Sequence, residues 1–151
     1  MLIGVLSDTH SRRFEELPEA ILNGLEGVDL IIHAGDFTEE PVLDGLRALA
    51  EVKAVQGNMD SAVIKNSLPE VTSLRVGKRK ICVTHGCGAP EGIVERVIER
   101  CGEADVIVFG HSHEAYNNYH GHTLLLNPGK AANSYGIVHI DQKVSAQIIA
   151  V

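Results

Sequence analysis

Residues 2–36 read LIGVLSDTHSRRFEELPEAILNGLEGVDLIIHAGD, and this stretch decides the fold. Two near-continuous apolar runs, Leu2 to Ser7 and Asp29 to His33, have the Ile, Val and Leu content of strands covered on both faces. Between them Leu17, Ile21, Leu22 and Leu25 recur at helical spacing, with Pro18 admissible in a first turn and Gly27 as a stop. The unit is strand, helix, strand.

Outward from it the pattern repeats. Val42, Leu43, Leu46 and Leu49 predict a second helix after Pro41, followed by a strand from Val52 to Gln56. Ile93, Val94, Val97 and Ile98 predict a third helix ending near Cys101-Gly102, and then a strand from Asp105 to Phe109. Val71 to Val76 and Lys80 to Thr84 flank Gly77-Lys78 as a hairpin. Ala115 to Tyr119, His122 to Leu126, Tyr135 to Ile140 and Val144 to Ile149 are short strands with Gly, Asn and Asp turns. Parallel units plus hairpins imply an α/β fold of two packed mixed sheets with helices outside. No repeat, low-complexity segment or linker interrupts residues 1–151, so one domain is expected.

The chain has 151 residues, 44% of them hydrophobic and 22% charged, which is ordinary globular usage and excludes disorder over most of its length. Its apolar runs of five or six residues fall far short of the ~20 that a membrane span needs. The N-terminus lacks the basic and long apolar regions of a secretory signal, so a soluble, cytoplasmic protein is expected. Three cysteines outside any CxxC spacing fit a reducing compartment. A net charge of -7 argues against a nucleic-acid track. Eight histidines are out of line for this size.

Position explains the excess. Five apolar strands run into polar clusters: Ser7-Asp8-Thr9-His10, His33-Ala34-Gly35-Asp36, Gly57-Asn58-Met59-Asp60, His85-Gly86 and Gly110-His111-Ser112-His113. Ligands of open α/β sheets bind beyond the carboxyl ends of strands, so these clusters are expected to converge at one edge. Asp8, His10, Asp36, Asn58, His85, His111 and His113 are oxygen and nitrogen donors without a thiolate, which suits Mn, Fe, Zn, Ni or Co. Seven donors exceed one tetrahedral ion and match two ions sharing a carboxylate. Two divalent ions would bring the formal charge from -7 to about -3.

In this order the motifs Asp8-x-His10, Gly35-Asp36, Gly57-Asn58-x-Asp60, His85-Gly86 and Gly110-His111-x-His113 resemble the signature of the calcineurin-like metallophosphoesterase superfamily. The short, uninserted length is most similar to its small single-domain, YfcE-type phosphodiesterase branch. The resemblance implies a four-layer α/β/β/α sandwich of two mixed sheets flanked by helices. It also implies a dinuclear centre: one metal on Asp8, His10 and His113, the other on Asn58, His85 and His111, with Asp36 bridging. Manganese is the ion expected first, with Ni, Fe, Co and Zn as alternatives. Asn127-Pro128-Gly129 matches a tight turn near the site.

The implied activity is hydrolysis of a small phosphate ester, a diester first and a monoester as the near rival, by attack of a metal-bridging hydroxide. Asn58 and Asp60 are the expected catalytic residues, Asp60 either orienting Asn58 from behind or acting as an acid. Met59 stands where similar sequences carry a histidine that assists the leaving group, and a thioether cannot donate a proton. Lys130 stands where serine is usual; it meets a substrate phosphate or is solvated. Arg12 and Arg13 face a phosphate or solvent, His33 backs the metals or merely ends its strand, and His120, His122 and His139 are structural or exposed. Tyr116 and Tyr119 are expected to cover apolar surface, and Cys87 to be a loop thiol. A non-catalytic interaction scaffold of the retromer-subunit type is the alternative from another class, disfavoured by seven intact donors. Homo-oligomer formation stays open.

Overall fold

Alternation along the strands sorts the apolar residues into three clusters, and these define the layers. In the computed structural model, which describes residues 1–151, Ile3, Val5, Leu30, Ile32, Val138 and Ile140 face Ile81, Val83, Val106, Val108, Leu124 and Leu126 across the interior. The intervening Ile31 and Leu6 turn the other way, onto a helical cluster with Ile21, Leu25, Val42, Leu46 and Ile64. Cys82, Ile107 and Leu125 turn outward onto Ile93 and Val97. Period-2 strands buried on both faces produce this result, two sheets packed face to face with several helices outside the first and one outside the second.

The first sheet has the order β10-β9-β1-β2-β3, with β1 Leu2–Leu6, β2 Leu30–His33, β3 Glu51–Ala54, β9 Ser134–Ile140 and β10 Val144–Ala150. Its pairs β1·β2 and β2·β3 are parallel; β1·β9 and β9·β10 are antiparallel. The second has the order β4-β5-β6-β8-β7, with β4 Val71–Val76, β5 Arg79–Thr84, β6 Val106–Val108, β7 Tyr116–His120 and β8 Thr123–Asn127. Here β5·β6 and β6·β8 are parallel, and hairpins complete both edges. Leu6, His33 and Ala54 lie in register, as do Val83, Val108 and Leu126, so within each sheet the motif loops leave at one level.

The helices are α1 Glu19–Gly24, α2 Glu40–Leu49, α3 Ala62–Ser67 and α4 Ile93–Cys101. The chain before Pro18 forms only a 3-10 turn, Phe14–Glu16, and Leu17 is buried ahead of α1. β3 ends at Ala54 rather than Gln56, because Gln56 leaves the ladder: its N–H donates to the Pro69 carbonyl. Leu49, assigned to the buried face of α2, is exposed at the helix end. α3 has no counterpart in the sequence reading.

The cysteines need a correction. Cys82 on β5 and Cys101 at the end of α4 are joined by a disulfide, and Cys87 alone is free. The 19-residue separation hides a helix that returns antiparallel to its strand. Disulfides belong to oxidising compartments or to the intracellular proteins of hyperthermophiles, so a reducing compartment does not follow from the cysteine count. No helix is long and apolar enough to cross a membrane.

Candidate metal centre

The loops beyond β1, β2, β3, β5 and β6 bring all seven predicted donors together. Asp8 Oδ1 is 3.3 Å from His113 Nε2, 3.7 Å from His10 Nε2 and 3.9 Å from His85 Nε2. Asp36 Oδ2 is 3.7 Å from His10 Nε2 and 3.3 Å from His85 Nε2, so it touches both sides of the cluster. Donor atoms of Asp8, His10, Asp36 and His113 all lie within 4.8 Å of one another. On the far side of Asp36, Asn58 Oδ1 lies 3.1 Å from His85 Nε2 and 3.2 Å from His111 Nδ1.

Four of the donors, Asp8, Asp36, His85 and His111, are oriented by a partner behind them. Asp8 Oδ2 accepts from the Ser7 hydroxyl at 2.6 Å and from the His111 N–H at 3.1 Å. Its other oxygen, Oδ1, is buried and has no hydrogen-bond partner, and neither has His10 Nε2. Asp36 Oδ1 accepts from the Met59 N–H at 2.8 Å. His85 Nδ1 donates to the Ala34 carbonyl at 2.6 Å and His111 Nε2 to the Gly88 carbonyl at 3.0 Å. A neutral imidazole has one N–H, so both rings turn a lone pair toward the Asn58 oxygen. Acceptors facing acceptors, with two buried atoms orphaned, is an arrangement a cation satisfies and a hydrogen bond between neutral groups does not. The residues fit divalent metal ions.

Backbone geometry agrees. The non-glycine residues in the left-handed region are Asp8, His10, Asp36, Thr38, His111 and His113, with φ from 45° to 80°. Five of the six are donors of the cluster, and strain of this kind concentrates where function holds it. Close approach decides two glycines: a Cβ at Gly57 would overlap Asp36 Oδ1, and one at Gly110 would overlap Ser7 Oγ.

Electrostatics follow from the same contacts. Burial opposes ionisation of Asp36, but His85, the Met59 N–H and His10 outweigh it and hold the carboxyl below its ordinary value. Burial also opposes protonation of His85; Asp36, Asp8 and the Ala34 carbonyl prevail and raise it, so His85 Nε2 takes a cation of either kind, a proton or a metal ion that displaces it.

His33 touches neither Asp8 nor Asp36 through its ring. Its Nδ1 accepts from the Gly35 N–H at 3.1 Å, its Nε2 lies 3.2 Å from Thr9 Oγ1, and the ring stacks on Phe37. Complete burial, with the nearby His85, lowers its pKa from 6.5 to about 3. The unfolded chain therefore binds a proton that the folded chain refuses. Stability is full above about pH 6.5 and is lost as pH falls toward about 3. His33→Asn, which keeps an acceptor for Gly35, is expected to flatten the decline of urea midpoints between pH 6 and 4.

Asp60 also differs from expectation. Its carboxylate does not reach the Asn58 side chain: Oδ2 accepts from the N–H groups of Asp36 (3.0 Å) and Gly57 (2.7 Å), and Oδ1 from Thr38 (2.8 Å). The group is buried and committed, and it clamps the Asp36 loop to the Asn58 loop. Asn127 braces the histidine loop in a similar way, donating to the Gly110 carbonyl and Ser112 Oγ. Ser7 went unassigned in sequence, although a hydroxyl ending an apolar strand beside an aspartate was the available signal. Arg13 pairs with Glu16 in solvent, Lys130 and His139 are exposed, and Tyr116 meets His120 Nε2 at 2.7 Å. Tyr119 is exposed rather than covering apolar surface.

Residues 1–143 match the calcineurin-like phosphoesterase superfamily domain, and the chain belongs to that superfamily. A probable metallophosphoesterase of Methanocaldococcus jannaschii, MJ0623, is 38% identical over 100% of this chain and 82% of its own length. Among solved structures, an archaeal phosphodiesterase is 26% identical with a TM-score of 0.76, covering 100% of both chains. A single-mutant Vps29 of Entamoeba histolytica is 24% identical with a TM-score of 0.80, covering 100% of this chain and 99% of the other, which is a likeness of fold.

Proposed function

We propose that residues 1–151 form one domain that hydrolyses phosphodiesters of small molecules with two divalent ions, manganese first. The observation that carries the reading is the buried, unpartnered Asp8 Oδ1 at the focus of a seven-donor cluster divided by Asp36. Asp8, His10 and His113 would hold one ion and Asn58, His85 and His111 the other, with Asp36 between them. Such ions, when bound, lower the pKa of water toward ~7 and neutralise charge on phosphoryl oxygens. The protein's part is positioning: Ser7 and the His111 N–H leave one Asp8 oxygen free, Ala34 and Gly88 fix the imidazole tautomers, and Asp60 holds two loops in register. Asn58 would also meet the phosphoryl group. A scaffold of the Vps29 type shares the fold, and one Vps29 has been solved with zinc, so turnover rather than metal binding separates the two readings.

The test is hydrolysis of bis-nitrophenyl phosphate and nitrophenyl phosphate by metal-free protein reconstituted with Mn, Ni, Co, Zn or Mg in turn. Turnover of the diester with at least one ion is expected; no turnover of either ester with any ion would refute the enzyme reading. Met59 has no proton to give and Asp60 is committed, so nitrophenyl esters are expected to react faster than alkyl esters. Equal rates would count against a missing acid.

A further inference from the structure

Beside the donor cluster a cleft of about 820 Å³ opens between α3, α4 and the loops after β3 and β5. It begins at Asn58 and His85 and runs outward to Glu70 and Arg100. A phosphoryl group alone does not fill a space of this size, which is that of a site for a whole small molecule, roughly 300–1,000 Å³. Its rim is preformed, because Arg96 spans the loop after β5 and donates to the carbonyls of Cys87, Ala89 and Glu91.

Most of the lining residues are polar or charged, and their balance of charge differs from that of the rest of the chain. Lys65, Arg96 and Arg100 face Glu70 and Glu99, a positive balance in a protein of net charge -7. Arg96 is spent on the loop, and Arg100 pairs with Glu70 at 2.8 Å. Lys65 uses one donor, 3.1 Å from the Asn58 carbonyl, and an ammonium has three. It stands where the cleft meets the metal ligands.

Resting on the phosphoesterase reading, we propose that this cleft holds one ester group of the substrate, a hydroxylated moiety of nucleoside size whose further negative charge meets Lys65. Glu99 supplies an acceptor for hydroxyl groups. The substrate class is then a nucleotide-like diester rather than a simple alkyl phosphate.

The probes are inorganic phosphate, adenosine 5′-monophosphate and adenosine 3′,5′-bisphosphate, titrated into zinc-loaded full-length protein and followed by amide NMR shifts. Phosphate is expected to shift only the donor loops, those of Asp8, Asp36, Asn58, His85, His111 and His113. Both nucleotides should also shift Val97 and Arg100, which line the cleft away from the donors, and the bisphosphate should bind about tenfold more tightly than the monophosphate. Lys65→Met is expected to erase that margin and Lys65→Arg to keep most of it. Silent cleft amides, or a margin that survives Lys65→Met, would overturn the proposal while phosphate binding at the donor loops stands. Phosphate that shifts none of those loops, with no hydrolysis of bis-nitrophenyl phosphate, would overturn the phosphoesterase reading as well.

Discussion

Replacing Asp36 by Ala is expected to lower diester hydrolysis by about 10³-fold or more and to empty both metal positions, not one. Asp36 Oδ2 is the carboxylate oxygen that approaches imidazoles on both sides of the cluster, 3.7 Å from His10 and 3.3 Å from His85. In the proposed two-ion arrangement each donor group would then keep three ligands, and the two positions would lose the charge they share. Metal ions at such centres supply several kcal/mol of transition-state stabilisation, and each ~1.4 kcal/mol is tenfold in rate. Asp36→Asn keeps the shape and should retain some metal at reduced affinity. Metal content by elemental analysis separates this from misfolding, since circular dichroism should be unchanged. Retention of both ions by Asp36→Ala would remove the bridge.

Asp60→Ala is expected to destabilise the fold by roughly 3–5 kcal/mol and to release metal although Asp60 binds none. Its two oxygens accept from three backbone N–H groups at 2.7–3.0 Å, and the residue is 6% exposed. Each orphaned buried donor costs about 1–3 kcal/mol. At about 2–4 °C per kcal/mol for a chain of this size, the thermal midpoint should fall by roughly 10 °C. The Asp36 loop also loses its clamp, and losses behind a ligand typically cost 10–100-fold in affinity or activity. Asp60→Asn should fall between, with turnover reduced modestly and metal kept. An unchanged midpoint in Asp60→Ala would mean that the three hydrogen bonds carry little.

These two residues also mark where sequence was legible and where it was not. Asp36 follows an apolar strand in a Gly-Asp turn, and five such strand ends in one order made convergence readable, because parallel strands joined by helices bring their carboxyl ends to one edge. Asp60 lies in the same motif, yet its partners are backbone N–H groups of Asp36 and Thr38, more than 20 residues away, and no residue type advertises a backbone donor. α3 escaped because it has six residues and one buried side chain, Ile64, too few for a period; Ser61, whose hydroxyl accepts from the Ile64 N–H, was its only signal. Left-handed backbone at Asp8, His10, His111 and His113 was equally hidden, since only glycine announces it. The Cys82–Cys101 bond depends on how α4 lies on β5, which spacing does not encode.

The proposed chemistry requires two ions that share Asp36. Elemental analysis of protein dialysed against excess manganese and then freed of loosely bound metal tests this most directly. Two manganese ions per chain are expected in the wild type, fewer than one in Asp36→Ala, and one in His113→Ala with His111 intact. A single ion per wild-type chain, unaltered by Asp36→Ala, would contradict it.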